Sequence, residues 1–354
     1  MLSTLVFSVT RKCVAECDFC GVKCSPRIDE RLSLELMTSV MDEVSLFGTT
    51  PSVVFTGGEP FLFREDLLKA VRHAHELGFA VRIVTSGFWA TSLKWAMEVL
   101  NEFNEAGLNE INYSVDDFHE KYIPLEYIKN GHDAAVKLKM PVLLAHKALT
   151  NSKITIEYLE TYFKHKFTVY DENKKNHRDS YLIKTSGVIP IGKNCDKVKR
   201  KELNYCYYPL GYMYRCDSIL EDLVISARGT LQVCCGIPTN EIPELDFGSV
   251  EKYGVANLIK EANDDFIANW LVMEGPYGLK EYVEKQDKSI KFRKKYINNC
   301  HLCWDVLTNP KAREIISSVD DSKIKEITLK RMMYDKNRNN KKYLKKLLEE
   351  PVYA

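Results

Sequence analysis

Cys13, Cys17 and Cys20 stand at C-x3-C-x2-C spacing, directly after a short apolar stretch at residues 5–9. Thiolates are soft ligands suited to iron–sulfur clusters or to zinc. Four thiols would close a structural site. Three so close together suit a cluster with one iron left open for a substrate or cofactor. Structural or zinc-binding cysteines are the plain alternative. A second constellation is Thr56-Gly57-Gly58-Glu59-Pro60. Its Gly-Gly pair permits close backbone approach to a ligand, and its carboxylate can accept hydrogen bonds from an ammonium group. On its own it is a turn. Thr85-Ser86-Gly87 and Ser114-Val115-Asp116 add hydroxyls and a carboxylate able to hold a diol or a carboxylate. Capping and turn chemistry are their ordinary uses.

The second half supplies further thiols. Twelve residues separate Cys216 from Gly229 and four separate Gly229 from Cys234, with Cys300 and Cys303 far downstream at C-x2-C spacing. Residues 223–227 and 230–236 read as a hairpin turning at Arg228-Gly229. It would return Cys234 toward the chain entering from Cys216. These four thiolates can close a cluster with no open iron, or a zinc site. No cysteine follows Cys303, so one such site is expected. Cys235 is its neighbour. Strand side chains alternate between faces, which sets Cys235 on the face of Leu231 and Val233. There it is either a buried free thiol or a hydrogen-atom donor.

Elements that could position these groups alternate along the chain. Strands are predicted at 5–9, 52–56, 79–85, 110–115, 142–146 and 181–184, and helices at 34–46, 65–77, 92–106, 125–139 and 154–164. Apolar strands alternating with amphipathic helices argue for a parallel sheet with helices outside. About six such units would make a partial (β/α)6 TIM-like barrel, whose chemistry sits at the C-terminal ends of its strands. The first cysteines follow strand one, where that rule puts them. Residues 171–179 read as a surface loop and 193–201 as a basic linker. Composition changes near Cys206. Between residues 323 and 346 ten basic residues face only Glu326 and Asp335, with apolar residues at roughly helical spacing. A solvated amphipathic helix is expected there, with an acidic-peptide or nucleic-acid contact as its rival. The resulting division is 1–190, barrel; 191–310, linker and cysteine-rich domain; 311–354, helical tail.

Composition narrows the setting. The 354 residues are 45% hydrophobic and 28% charged, enough for a sizeable core. A formal net charge of +1 makes no general case for nucleic acid or an anionic membrane. Eleven cysteines, grouped and odd in number, do not look like a disulfide framework and suit a reducing cytoplasm. No secretory signal or membrane-length apolar run is visible.

The three-cysteine spacing and the GGEP stretch together resemble the radical S-adenosylmethionine (SAM) superfamily. That resemblance implies that Cys13, Cys17 and Cys20 hold a [4Fe-4S] cluster whose fourth iron chelates SAM. It also implies that Gly57, Gly58, Glu59 and Pro60 contact the SAM amino group, and that Ser86, Ser114 and Asp116 contact ribose and carboxylate. Gly187-Val188-Ile189-Pro190-Ile191-Gly192 resembles the segment that packs against adenine, giving Ile189 and Gly192 that role. The later cysteines, with residues 245–250, resemble the half-size "twitch" form of the SPASM auxiliary-cluster domain. Two [4Fe-4S] clusters are thereby implied.

Cys20-Gly21-Val22-Lys23-Cys24-Ser25-Pro26, Ser86-Gly87-Phe88-Trp89, Asp116-Asp117-Phe118-His119 and Cys234-Cys235 look most like the peptide epimerases of the epipeptide type. Those enzymes convert L- to D-residues in a ribosomal peptide and carry a donor cysteine where Cys235 stands. Cys24, His119 and Trp89 also have ordinary readings as packing, capping or core residues. The expectation is a cytoplasmic radical SAM enzyme acting on a ribosomal precursor peptide, with a flavodoxin or ferredoxin as reducing partner. The chain begins at the first strand, so no separate N-terminal peptide-recognition domain is expected. Alternatives are a twitch-type dehydrogenase of a cyclitol or sugar alcohol, a thioether cross-linking enzyme, and a non-catalytic iron–sulfur or zinc scaffold.

Overall fold

In the computed structural model the described residues are 2–47, 52–170, 182–191, 199–205, 216–235 and 241–349, with side chains through 337. The first strand, β1 (Thr4–Thr10), sorts its side chains by alternation. Leu5, Phe7 and Val9 join the main core, while Val6 meets Val54 and Val224 in a separate interior cluster. Then follow α1 (Leu34–Ser45), β2 (Ser52–Gly57), α2 (Arg64–Glu76), β3 (Ala80–Thr85), α3 (Leu93–Glu105), β4 (Glu110–Ser114), α4 (Leu125–Lys137), β5 (Val142–Ala148) and α5 (Ile156–Phe163). The helices bury stripes at helical spacing, as with Met37, Val40, Met41 and Val44 of α1. Side-chain N-caps start several of them, such as Ser33 to the Leu36 amide and Ser92 to the Trp95 amide.

These strands are parallel neighbours in chain order, β1 through β5. Short β6 (Thr168–Val169) comes next in sequence, but β7 (Leu182–Gly187) takes the place beside β5 and leaves β6 at the edge. The strand predicted at 181–184 is therefore β7, shifted toward its C-terminus. Tyr181 lies outside the described residues. The two-residue β6 carries too little pattern to be seen in the sequence. The architecture is a mixed α/β partial barrel.

The hairpin forms as β8 (Asp222–Ile225) and β9 (Thr230–Gln232), turning at Gly229 with φ +72°. β8 pairs in parallel with β1, from Thr4↔Asp222 to Phe7↔Ile225. The hydrogen-bonded sheet thus runs across the division placed at residue 190. β10 (Asp246–Ser249) completes the sheet, ten strands among the described residues in the order β10-β9-β8-β1-β2-β3-β4-β5-β7-β6. Helices follow: α6 (Val250–Tyr253), α7 (Val255–Asp264), α8 (Phe266–Gln286, kinked at Gly275), α9 (Asn299–Leu307), α10 (Pro310–Ser317) and α11 (Asp321–Glu349). α11 is the tail helix. It lies against α8 through Lys323 and Lys330, which both reach Glu274. Among the described residues no helix is long and apolar enough to cross a membrane.

Candidate active site

A cavity of about 310 Å³ opens at the C-terminal ends of the parallel strands. Cys13, Cys17 and Cys20 are on its wall, as are Ser86, Ser114 and Asp116. The loop after β1 folds back on itself: the Cys13 amide donates to the Ser25 carbonyl at 3.2 Å and the Ser25 amide to the Arg11 carbonyl at 3.2 Å. Burial pushes the Cys13 thiol up to about 12. Cys20 moves the other way, down to about 6. The Cys24 thiol contributes most, against burial, with the Cys24 and Val22 amides adding. Cys24 also lines the cavity and is 2% exposed.

The GGEP stretch packs against the cysteine loop. Its glycines admit the cysteine loop: a Cβ on Gly57 would meet the Thr10 carbonyl oxygen at 2.5 Å, and one on Gly58 the Lys12 carbonyl oxygen at 2.1 Å. The Gly58 and Glu59 amides donate to those same two carbonyls at 2.6 and 2.9 Å. Glu59 is fully buried behind the wall. Its carboxylate accepts from the Phe61 amide at 3.1 Å, the Thr85 hydroxyl at 2.8 Å, and the amide and hydroxyl of Ser86. Burial raises its pKa despite those donors. Gly57 and Gly58 line the cavity; Glu59 and Pro60 do not. The Glu59 carboxylate fixes the end of β3 and thereby places Ser86.

Asp116 is the opposite case. Its Oδ1 accepts from the amides of Phe118 and His119, both at 3.0 Å, and from His119 Nδ1 at 2.8 Å. Its Oδ2 is buried with no partner among the described residues. Burial pushes its pKa up, but the His119 charge and these hydrogen bonds win and hold it low. His119 is raised well above its usual value: burial opposes, and Asp116 and then Cys17 outweigh it. The unpaired Oδ2 is an acceptor awaiting a donor.

Val188, Ile189 and Ile191 give the cavity an apolar side, while Gly192 lies outside the described residues. Lys147, at the end of β5, also lines it and donates to the Ser186 hydroxyl at 2.7 Å. Sequence reading missed Lys147. Its place just after the predicted strand 142–146 was the available signal. His119, read either as part of the epimerase-like motif or as an ordinary cap or core histidine, lines the cavity.

Cys235 reaches the same wall. It does not share the apolar layer of Leu231 and Val233, because β9 ends at Gln232 and strict alternation stops there. Its thiol donates to Asp222 Oδ2 at 3.5 Å. Burial, then the Asp222 carboxylate, pushes it up to about 12, so it stays an S–H. Cys216, Cys300 and Cys303 share one neighbourhood. Burial and then the Cys216 charge push Cys300 up to about 11, and burial with both neighbours raises Cys303 well above its ordinary value. Cys234 borders a second cavity, and Cys235 also feels Cys300. Among the described residues no three His, Cys, Asp or Glu side chains converge tightly enough for a single metal ion.

Residues 7–160 match the family model described as the radical SAM superfamily. The chain carries a radical SAM domain. SAM and a [4Fe-4S] cluster are the cofactors this domain implies. Three thiols, paired glycines and the unsatisfied Asp116 oxygen on one wall fit that need. Among curated proteins, "Putative peptide biosynthesis protein YydG" of Bacillus subtilis (strain 168) is 25% identical over 160 residues, or 44% of this chain. The match spans 49% of that relative's length. Two solved structures are similar at 14% identity. BtrN in complex with AdoMet and 2-DOIA gives a TM-score of 0.46, covering 78% of this chain and 89% of its own. anSMEcpe with bound AdoMet and Cp18Cys peptide gives 0.48, covering 90% and 99%.

Proposed function

We propose that this radical SAM enzyme abstracts the Cα hydrogen of a residue in a ribosomally made peptide and returns hydrogen to the opposite face, converting L to D. The observation that carries the reading is the shared wall. Cys235, held as a thiol, borders the cavity that also holds Cys13, Cys17, Cys20 and Asp116. Peptide as substrate class takes its support from the relative named for peptide biosynthesis.

Cys13, Cys17 and Cys20 would hold the open cluster, and Ser86, Ser114 and Asp116 would orient SAM. Gly57 and Gly58 would offer close backbone approach, with Ile189 and Gly192 against the adenine. Bound there, SAM and its cluster would supply the radical chemistry for removing the substrate hydrogen. Cys235 then gives its S–H hydrogen atom to the substrate carbon, forming the new C–H bond and leaving a thiyl radical. One electron and one proton restore the thiol. A low-potential flavodoxin or ferredoxin would supply the electron, and Cys216, Cys234, Cys300 and Cys303 would hold an auxiliary [4Fe-4S] cluster.

The decisive experiment incubates the reconstituted enzyme anaerobically with the peptide encoded beside its gene, in heavy water. A gain of one mass unit supports epimerisation. A loss of two means oxidation or cross-linking, and no change sinks the peptide reading. Cys235→Ala should still form 5′-deoxyadenosine while losing D-product. A second reading has one specific observation behind it. Cys235 feels the Cys300 charge, which leaves it open to exchanging roles with Cys234. Loss of auxiliary iron in Cys235→Ala would establish that exchange and remove the donor role.

A further inference from the structure

A second cavity, of about 180 Å³, lies between β1, β8 and β9. It adjoins the first: Val22, Thr56, Gly57 and Cys235 border both. Its floor is aliphatic, made by Val6 and Val224, which sit directly opposite each other across the β1–β8 pairing. Two residues on, the same inward faces carry Ser8 and Ser226. Ser8 is 7% exposed and its hydroxyl has no partner among the described residues. A buried polar atom left in that state is costly unless something comes to pair with it.

The charge on the wall has one sign. Arg11 and Arg228 line the cavity, and both lean on a single carboxylate, Glu30. Arg11 Nη1 is 2.8 Å from Glu30 Oε2, and Arg228 Nε and Nη2 are each 3.2 Å from its two oxygens. Of the described residues lining the cleft only these two are charged, with Asp222 accepting from Cys235 and Asp246 from Gln232 behind the wall, so the guanidiniums are what an entering anion meets. Guanidinium is also the side chain best shaped to hold a carboxylate.

We infer that this second cavity is a substrate subsite for an acidic side chain: an aspartate or glutamate of the peptide, its methylene stem over Val6 and Val224 and its carboxylate toward Arg11 and Arg228. The subsite adjoins Cys235, so it belongs to the residue being modified or its immediate neighbour. This rests on the peptide reading proposed above.

The test uses the SAM-loaded, cluster-reconstituted enzyme under anaerobic titration calorimetry. The probes are N-acetyl-glutamate N-methylamide and its glutamine, norleucine and lysine counterparts. The glutamate probe should bind about tenfold or more tightly than norleucine. Arg228→Gln should bring it to the level of glutamine, and Val224→Phe, which fills the floor, should weaken all probes together. Norleucine or lysine binding as tightly as glutamate overturns the acidic assignment, as does an Arg228→Gln enzyme that still prefers glutamate. Binding of none of the four also overturns it. The heavy-water mass experiment separates the two failures. A mass gain on the precursor peptide with no glutamate preference removes only the subsite, whereas no mass change removes the peptide reading beneath it.

Discussion

Glu59 and Asp116 are both buried carboxylates near the C-terminal ends of barrel strands, and the sequence gives them equal standing. The structure separates them by what their oxygens do. Glu59 has both oxygens occupied, by Phe61, Thr85 and Ser86, and burial raises its pKa. Asp116 has one oxygen saturated by Phe118 and His119 and the other unpaired among the described residues, and His119 helps hold it ionised. A carboxylate with all its acceptors used belongs to the scaffold. A charged one with an acceptor left over can still receive a donor. The GGEP stretch therefore serves the site mainly through its glycines and through the Ser86 that Glu59 positions.

The comparison can be broken most directly at Glu59. Glu59→Ala strips the acceptor from four buried donors, each costing roughly 1–3 kcal/mol when left unsatisfied. The apo protein should lose about 3–5 kcal/mol by urea unfolding. A loss near zero, with SAM binding gone, would return Glu59 to the ligand side. Gly58→Ala comes next. Its Cβ would sit 2.1 Å from the Lys12 carbonyl oxygen, so backbone must move. The expected cost is toward the upper end of the roughly 1–3 kcal/mol of overpacking. It should appear in the absence of SAM, as a lower Tm and weaker iron retention by the cysteine loop. A Tm equal to the parent's would show that the close approach is not what the glycine serves.

Asp116→Asn should do the reverse: small in stability, larger on the ligand. Removing the charge while keeping the shape should weaken SAM about tenfold or more, near 1.4 kcal/mol, read by equilibrium dialysis. A large Tm loss with unchanged SAM affinity would make Asp116 a second scaffold carboxylate.

What the sequence made legible was local. C-x3-C-x2-C and GGEP lie within single loops, and Ser86, Ser114 and Asp116, picked out at strand ends, all border the cavity. What it hid was remote pairing. Glu59 meets Ser86 across 27 residues, and β8 joins β1 with Asp222 opposite Thr4. No periodicity in either strand encodes its neighbour. Cys235 was misplaced for a smaller reason: alternation was carried past Gln232, where β9 ends.

The subtlest consequence of the comparison is a pair of pH dependences of opposite sign. Glu59 binds its proton more tightly folded than unfolded. Its contribution is fully present below about 4.5 and falls as pH rises through its folded pKa. Asp116 is held below its ordinary value, so its contribution is present above about 3.8 and is lost as pH falls through the folded pKa. A single carboxyl releases at most one proton, so neither slope can exceed about 1.4 kcal/mol per pH unit. His119 overlays a third dependence. It is raised by Asp116 against burial, so its contribution is present below about 6.5 and lost as pH rises through its folded value. Urea unfolding of the apo protein at a series of pH values should therefore respond differently to the two variants. Glu59→Gln should shrink the decline that begins near 4.5 and leave the acid limb. Asp116→Asn should shrink the acid limb and the His119 decline together, because one carboxylate contributes to both. If Asp116→Asn left the acid limb and the His119 decline intact, the His119 charge would not depend on Asp116, and the two buried carboxylates would no longer differ in kind.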